Sequence, residues 1–68
     1  MEIIKLKRPY ITLGQLLQVS GFADSGAQAK TLVKELTIFV NQKSENRRGR
    51  KLVSGDLVSI AGKRIEIE

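Results

Sequence analysis

The stretch Asn46–Lys51, "NRRGRK", places Arg47, Arg48, Arg50 and Lys51 around Gly49, four cations within five positions. Their chemistry is anion binding. A guanidinium is planar and permanently charged, so it meets phosphate oxygens in pairs and stacks on bases. Gly49 lets the backbone approach a ligand closely or take a positive φ. Four like charges this close repel one another, a cost that an anionic partner relieves. A basic loop taken alone reads more readily as a solvated turn. Neutralisation by nearby carboxylates, or an orientation away from the pair of helices expected earlier in the chain, would exclude the binding reading.

A second candidate lies at Ser25-Gly26-Ala27, where small residues open a helix. Its first amides and partial positive charge suit a phosphate, and Lys30 stands one turn further on. The alternative is an ordinary capped helix start. Lys34 extends the same face, although a lone helical lysine is usually just solvated. Lys43 precedes the arginine cluster and would be a peripheral contact. Lys5, Lys7 and Arg8 would widen the basic surface or simply block a strand edge. Phe39 could stack on an unpaired base, but packing against the first strand is the simpler expectation.

Composition narrows the function further. The chain has 68 residues, 12 basic and 7 acidic, for a net charge of +5 and a pI near 10.0. That balance favours a polyanionic partner, nucleic acid before a membrane surface. Residues 1–34 carry five basic and two acidic side chains and residues 35–68 carry seven and five, so neither half is a charged tail. Histidine and cysteine are both absent. General acid–base chemistry and nucleophilic catalysis at neutral pH therefore lack their usual agents, and no serine has a base to activate it. No glycine pattern matches a phosphate-binding loop and no ligand set suggests a metal, so neither enzyme nor cofactor is expected. No apolar run is long enough to span a bilayer and the N-terminus lacks a signal-peptide core, which makes a cytoplasmic location the expectation.

The elements that must position these residues follow from periodicity. "EIIKLK" (2–7) reads as a short edge strand ended by Pro9. Thr12 with Gln15 forms a capping box, with Ile11 and Leu16 spaced as its hydrophobic staple. Leu13, Leu16 and Leu17 make an apolar stripe, and Gly21 is the left-handed C-terminal cap. Ser25 with Gln28 signals a second capped helix, whose face is Ala29, Leu32, Val33 and Leu36. Phe22, in the brief loop between the helices, packs at the end of the first. The period then drops to two. Ile38 and Val40 share a face, Asn41-Gln42 makes a tight turn, Ser54-Gly55-Asp56 makes another, and Val58 and Ile60 point inward. Gly62-Lys63 is a further turn before the strand "RIEIE". The expected fold is one α+β domain over residues 1–68: a short N-terminal strand, a helical hairpin, then a small, mainly antiparallel sheet.

With those elements in order, "DSGAQAKTLVKE…VNQ…GRKLVSGDLVSI" resembles the RNA-binding S-four domain, named for small-subunit ribosomal protein four. "YITLGQLL…DSGAQAK…RRGRKL…GD" is more similar still to its small free-standing bacterial version, the YaaA type. The resemblance covers about residues 10–61. Gly26 stands where the wider family often has arginine, Leu36 where a glycine usually follows the second helix, and Gln42 where asparagine–glycine is common. The resemblance implies the αL motif, a helical hairpin beside a small sheet with one basic face against structured RNA. It implies ribosomal RNA first, with a role in large-subunit maturation, and admits tRNA or a ribosomal particle. In relatives this domain supplies grip while another domain supplies chemistry.

A competing class is a protein-interaction module docking on an acidic partner surface. Duplex DNA is a weaker option, because the second helix offers few base-reading side chains.

Overall fold

The computed structural model describes residues 1–68. The elements run β1 (Glu2–Ile4), β2 (Ile11–Thr12), α1 (Leu13–Val19), α2 (Gly26–Glu35), β3 (Ile38–Val40), β4 (Lys43–Ser44), β5 (Lys51–Leu52), β6 (Leu57–Ile60) and β7 (Lys63–Ile67). The fold is α+β, with the helical hairpin following the opening strand.

Local chemistry accounts for the helix ends. Thr12 Oγ1 accepts the Gln15 amide at 3.2 Å, and Gln15 Oε1 accepts the Thr12 amide at 3.0 Å. At the other end Gly21 takes φ +88°, which lets the chain leave α1 at once. The second capping box forms by half. Ser25 Oγ accepts the Gln28 amide at 3.1 Å, but Gln28 reaches one residue further back and accepts the Asp24 amide instead. Leu36 has no left-handed cap to offer, and the chain leaves α2 through extended backbone with ψ 149°.

Five strands form one sheet in the order β1-β7-β6-β3-β4, while β2 and β5 pair separately. All pairs are antiparallel except β1 with β7, which run parallel. Ile38, Val40, Val58, Ile60, Ile65 and Ile67 line the inner face. Leu13, Leu16 and Leu17 of α1 and Ala29 and Val33 of α2 are buried in the same cluster, with Leu32, Leu36 and Phe22 half-buried at its margin. Burying each large aliphatic side chain contributes about 1.5–3 kcal/mol.

Asn41 and Gln42 make the β3–β4 turn with φ 51° and 70°, the paired left-handed conformation that matches the twist of a hairpin. Further features differ from the sequence expectation, beginning with β1, which ends at Ile4 and not at Lys7. The β6–β7 turn is Ala61-Gly62, with φ 50° and 87°, so Lys63 already belongs to β7, opposite Ile60. Strands β2 and β5 have two residues each, too few to show a period. Phe39 does not pack on β1, because β6 and β7 stand between them; its side chain lies on the outer sheet face, 39% exposed.

Candidate nucleic-acid interface

The basic loop is held in place from two sides. Glu45 anchors it to the sheet: its amide donates to the Ile38 carbonyl at 2.9 Å, and its side chain is buried. Glu45 Oε2 accepts from the amides of Asn46 and Arg47 and from Arg47 Nε, while Oε1 accepts from Arg47 Nη2 and Arg50 Nη1, all at 2.9–3.2 Å. The hydrogen bonds from the Arg47 side chain are the main reason its pKa falls from 4.5 to about 2; burial opposes that shift, and the Arg47 amide and Arg50 add to it. The same partnership raises the pKa of Arg47.

The other anchor is helix α1. The carbonyls of Arg50 and Arg48 accept the amides of Leu13 and Gly14 at 2.8 and 2.9 Å. These are first-turn amides that no helical carbonyl can reach. With Thr12 capping Gln15, the start of α1 is spent on holding the basic loop. A side chain at position 14 would collide with this arrangement: an added β-carbon would lie 2.5 Å from Arg48 Cγ. Glycine is required there by close approach, a need that periodicity in the sequence does not reveal.

Glu45 therefore offsets one of the loop's four positive charges, and Arg48 and Lys51 have no carboxylate partner, so the neutralisation that would exclude binding is only partial. Arg47 and Arg50 are ion-paired at 2.9 and 3.1 Å, so unrelieved repulsion is not an argument for a ligand at those two residues. Arg47 remains 71% exposed at its side chain even so. Arg48 forms no ion pair and no side-chain hydrogen bond within the chain. Lys51, on β5, places its ammonium 4.9 Å from the centre of the Tyr10 ring, a cation–π contact on its own side of the loop.

The loop faces the helix pair. Arg47, Arg48 and Gly49 form one wall of a groove, and Lys30 and Lys34 of α2 form the other. Those lysines are four residues apart, which places them on one helix face. Arg48 and Gly49 also line an adjoining crevice with Gly14, Gln18 and Gly26, at the start of α2. Arg48 is thus common to both hollows. Ser25, by contrast, commits its hydroxyl to the Gln28 amide. Lys43 stands on β4 beside the Asn41-Gln42 turn and does not line the groove.

The arrangement can do one kind of chemistry well. Four cations converge on a surface groove against a single buried carboxylate, which suits a chain of phosphates rather than one small anion. The chain has no cluster of three potential metal ligands. No helix is long and apolar enough to cross a membrane.

Residues that sequence reasoning missed are Glu45 as the loop's anchor, Gly14 as its seat, and Gln18 in the crevice. Glu45 was visible as the sole acid between Lys43 and Lys51. That isolation is the only signal the sequence held.

Two known proteins are similar to this chain over most of its length. RlbA of Bacillus subtilis (strain 168), provisionally named a ribosome maturation protein, is 44% identical over 59 residues, covering 87% of this chain and 83% of RlbA. YbcJ of Escherichia coli (strain K12), provisionally named an RNA-binding protein, is 38% identical over 61 residues, 90% of this chain and 87% of YbcJ. The sequence profile of the S4 domain matches residues 4–68, nearly the whole chain, and the protein belongs to the S4 domain family.

Proposed function

We propose that this chain is a non-catalytic module that grips structured RNA, ribosomal RNA foremost, and acts in maturation of the large ribosomal subunit in the cytoplasm. The observation that carries the reading is the convergence of Lys30, Lys34, Arg47 and Arg48 on one groove, with Arg48 reaching on to the start of α2. The S4 family and the names of RlbA and YbcJ point the same way, and toward a role without catalysis. Phosphate contacts supply affinity, and the fixed spacing of helix and loop favours a particular folded shape. Lys51 and Arg50 flank the loop as secondary contacts, and Lys43 is peripheral.

Titration with a folded ribosomal RNA fragment, tRNA and duplex DNA at two salt concentrations tests this. With about four phosphates neutralised, log affinity should fall against log salt with a slope near −3. Ribosomal RNA should bind tightest and duplex DNA weakest. A flat salt response, or equal affinity for all three, contradicts the proposal.

A further inference from the structure

A second cleft, which shares Gln15 and Gln18 with the crevice beside Arg48 but includes no residue of the arginine loop, lies between the free edge of β1 and the outer side of α1. One wall is the chain from Ile3 to Arg8, which leaves β1 after Ile4, and the helix wall includes Gln15, Gln18 and Val19. Its volume is about 620 Å³, within the range of ligand sites.

The main chain along this edge is unpaired. Leu6 N–H donates to the Glu68 carbonyl, and Glu68 N–H donates to the Ile4 carbonyl. Residues 4 and 6 therefore face β7, and by strand alternation the N–H and C=O groups of Ile3 and Lys5 face outward. Lys5 and Lys7 have no backbone hydrogen-bond partner. Lys5, Lys7 and Arg8 rim the cleft, none is in an ion pair, and no carboxylate lines it. Apolar surface is exposed on both walls, with Ile3 at 50% and Val19 at 61%.

We propose that this cleft takes an extended segment of a partner protein in which acidic and apolar residues alternate, added as a strand to β1 and flanked by α1. Main-chain hydrogen bonds supply the pairing, as in other strand-addition grooves. The partner's apolar side chains cover Ile3 and Val19, and its carboxylates meet Lys5, Lys7 and Arg8. The chain holds its own precedent: β1 already pairs through its other edge with β7, whose sequence is Ile65-Glu66-Ile67-Glu68. Edge lysines discourage strand pairing in general. Here they attract an acidic strand but repel a second copy, which brings the same three cations just beyond its own β1. A sugar-phosphate chain answers the charge but leaves the apolar walls uncovered. This inference does not depend on the RNA reading.

Amide chemical shifts of the full chain, titrated with the synthetic peptide Ac-EIEIE-NH2, test it. Saturable shifts are expected at Ile3, Lys5, Lys7 and Val19, with little change at Arg47–Lys51. Affinity should fall at least tenfold in the Lys5→Glu/Lys7→Glu variant. The single substitution Val19→Glu, on exposed helix surface, should produce a similar loss and serves if the double variant does not fold. The absence of saturable shifts at those amides overturns the proposal. So does an equal response to Ac-KIKIK-NH2. Oligouridylate shifting the same amides would make the cleft an RNA surface, and concentration-dependent shifts of the protein alone would assign it to a second copy; either result also overturns it.

Discussion

The carbonyl of Arg48 accepts the Gly14 amide at 2.9 Å, and the stem of the same arginine fills the space a β-carbon on Gly14 would need. The first turn of α1 and the basic loop are therefore one unit. The loop's carbonyls satisfy the helix, and the helix fixes where the guanidinium of Arg48 starts from. Pre-positioning of this kind reduces the entropy lost when a ligand binds.

Gly14→Ala should separate these two partners. Alanine favours a helix by up to about 1 kcal/mol over glycine, but overpacking against Arg48 costs about 1–3 kcal/mol. The expected net loss is about 1 kcal/mol, or roughly 4–8 °C in Tm for a chain of this size. RNA affinity should fall severalfold with it. A raised Tm with unchanged affinity would show that the contact between residues 14 and 48 has no consequence.

Glu45→Gln should loosen the loop while raising its net charge. Replacing the carboxylate weakens its bonds to two arginines, at a cost of about 1–2 kcal/mol given that Arg47 is largely exposed. The carboxyl is held down from 4.5 to about 2, so its contribution is fully present above about pH 4.5 and is lost as pH falls toward 2. Thermal melts across that window should show wild type losing its advantage over Glu45→Gln. A constant difference between the two proteins down to pH 2 would contradict this assignment.

Arg48→Ala and Lys43→Ala differ in geometry, and should differ in binding. Removing Arg48 takes a cation from both hollows, and the salt slope for RNA should flatten by about 1. Removing Lys43, which does not line the groove, should leave the slope nearly unchanged. Equal effects from the two substitutions would mean that net charge, and not the groove, governs binding.

Gln42→Gly should stabilise the fold. Gln42 sits at φ 70°, where a side chain costs about 1 kcal/mol and glycine nothing comparable. The turn lies away from the groove, so Tm should rise by several degrees with RNA affinity unchanged. Asn41 must stay, since its side chain accepts the Leu57 amide at 2.9 Å and donates to Asp56 at 3.0 Å. An unchanged or lower Tm would mean that Gln42 makes a compensating contact.

The sequence by itself determined the helical hairpin, the inner faces of β3 and β6, and the Asn41-Gln42 turn. Caps, apolar periods and left-handed positions are local properties, written within a few residues of where they act. It also marked the residues able to hold an anion, because guanidinium and ammonium chemistry belongs to the side chain alone. Tertiary structure decided which of them act together. Lys30 and Lys34 meet Arg47 and Arg48 only because the chain returns from the sheet to the helix pair, and Lys43 is left outside the groove by the same path. It also decided the parallel pairing of β1 with β7, the two-residue pair β2–β5, and the role of Glu45. Each of those depends on long-range register or on a close approach between distant backbones, and neither leaves a periodic trace in the residues concerned.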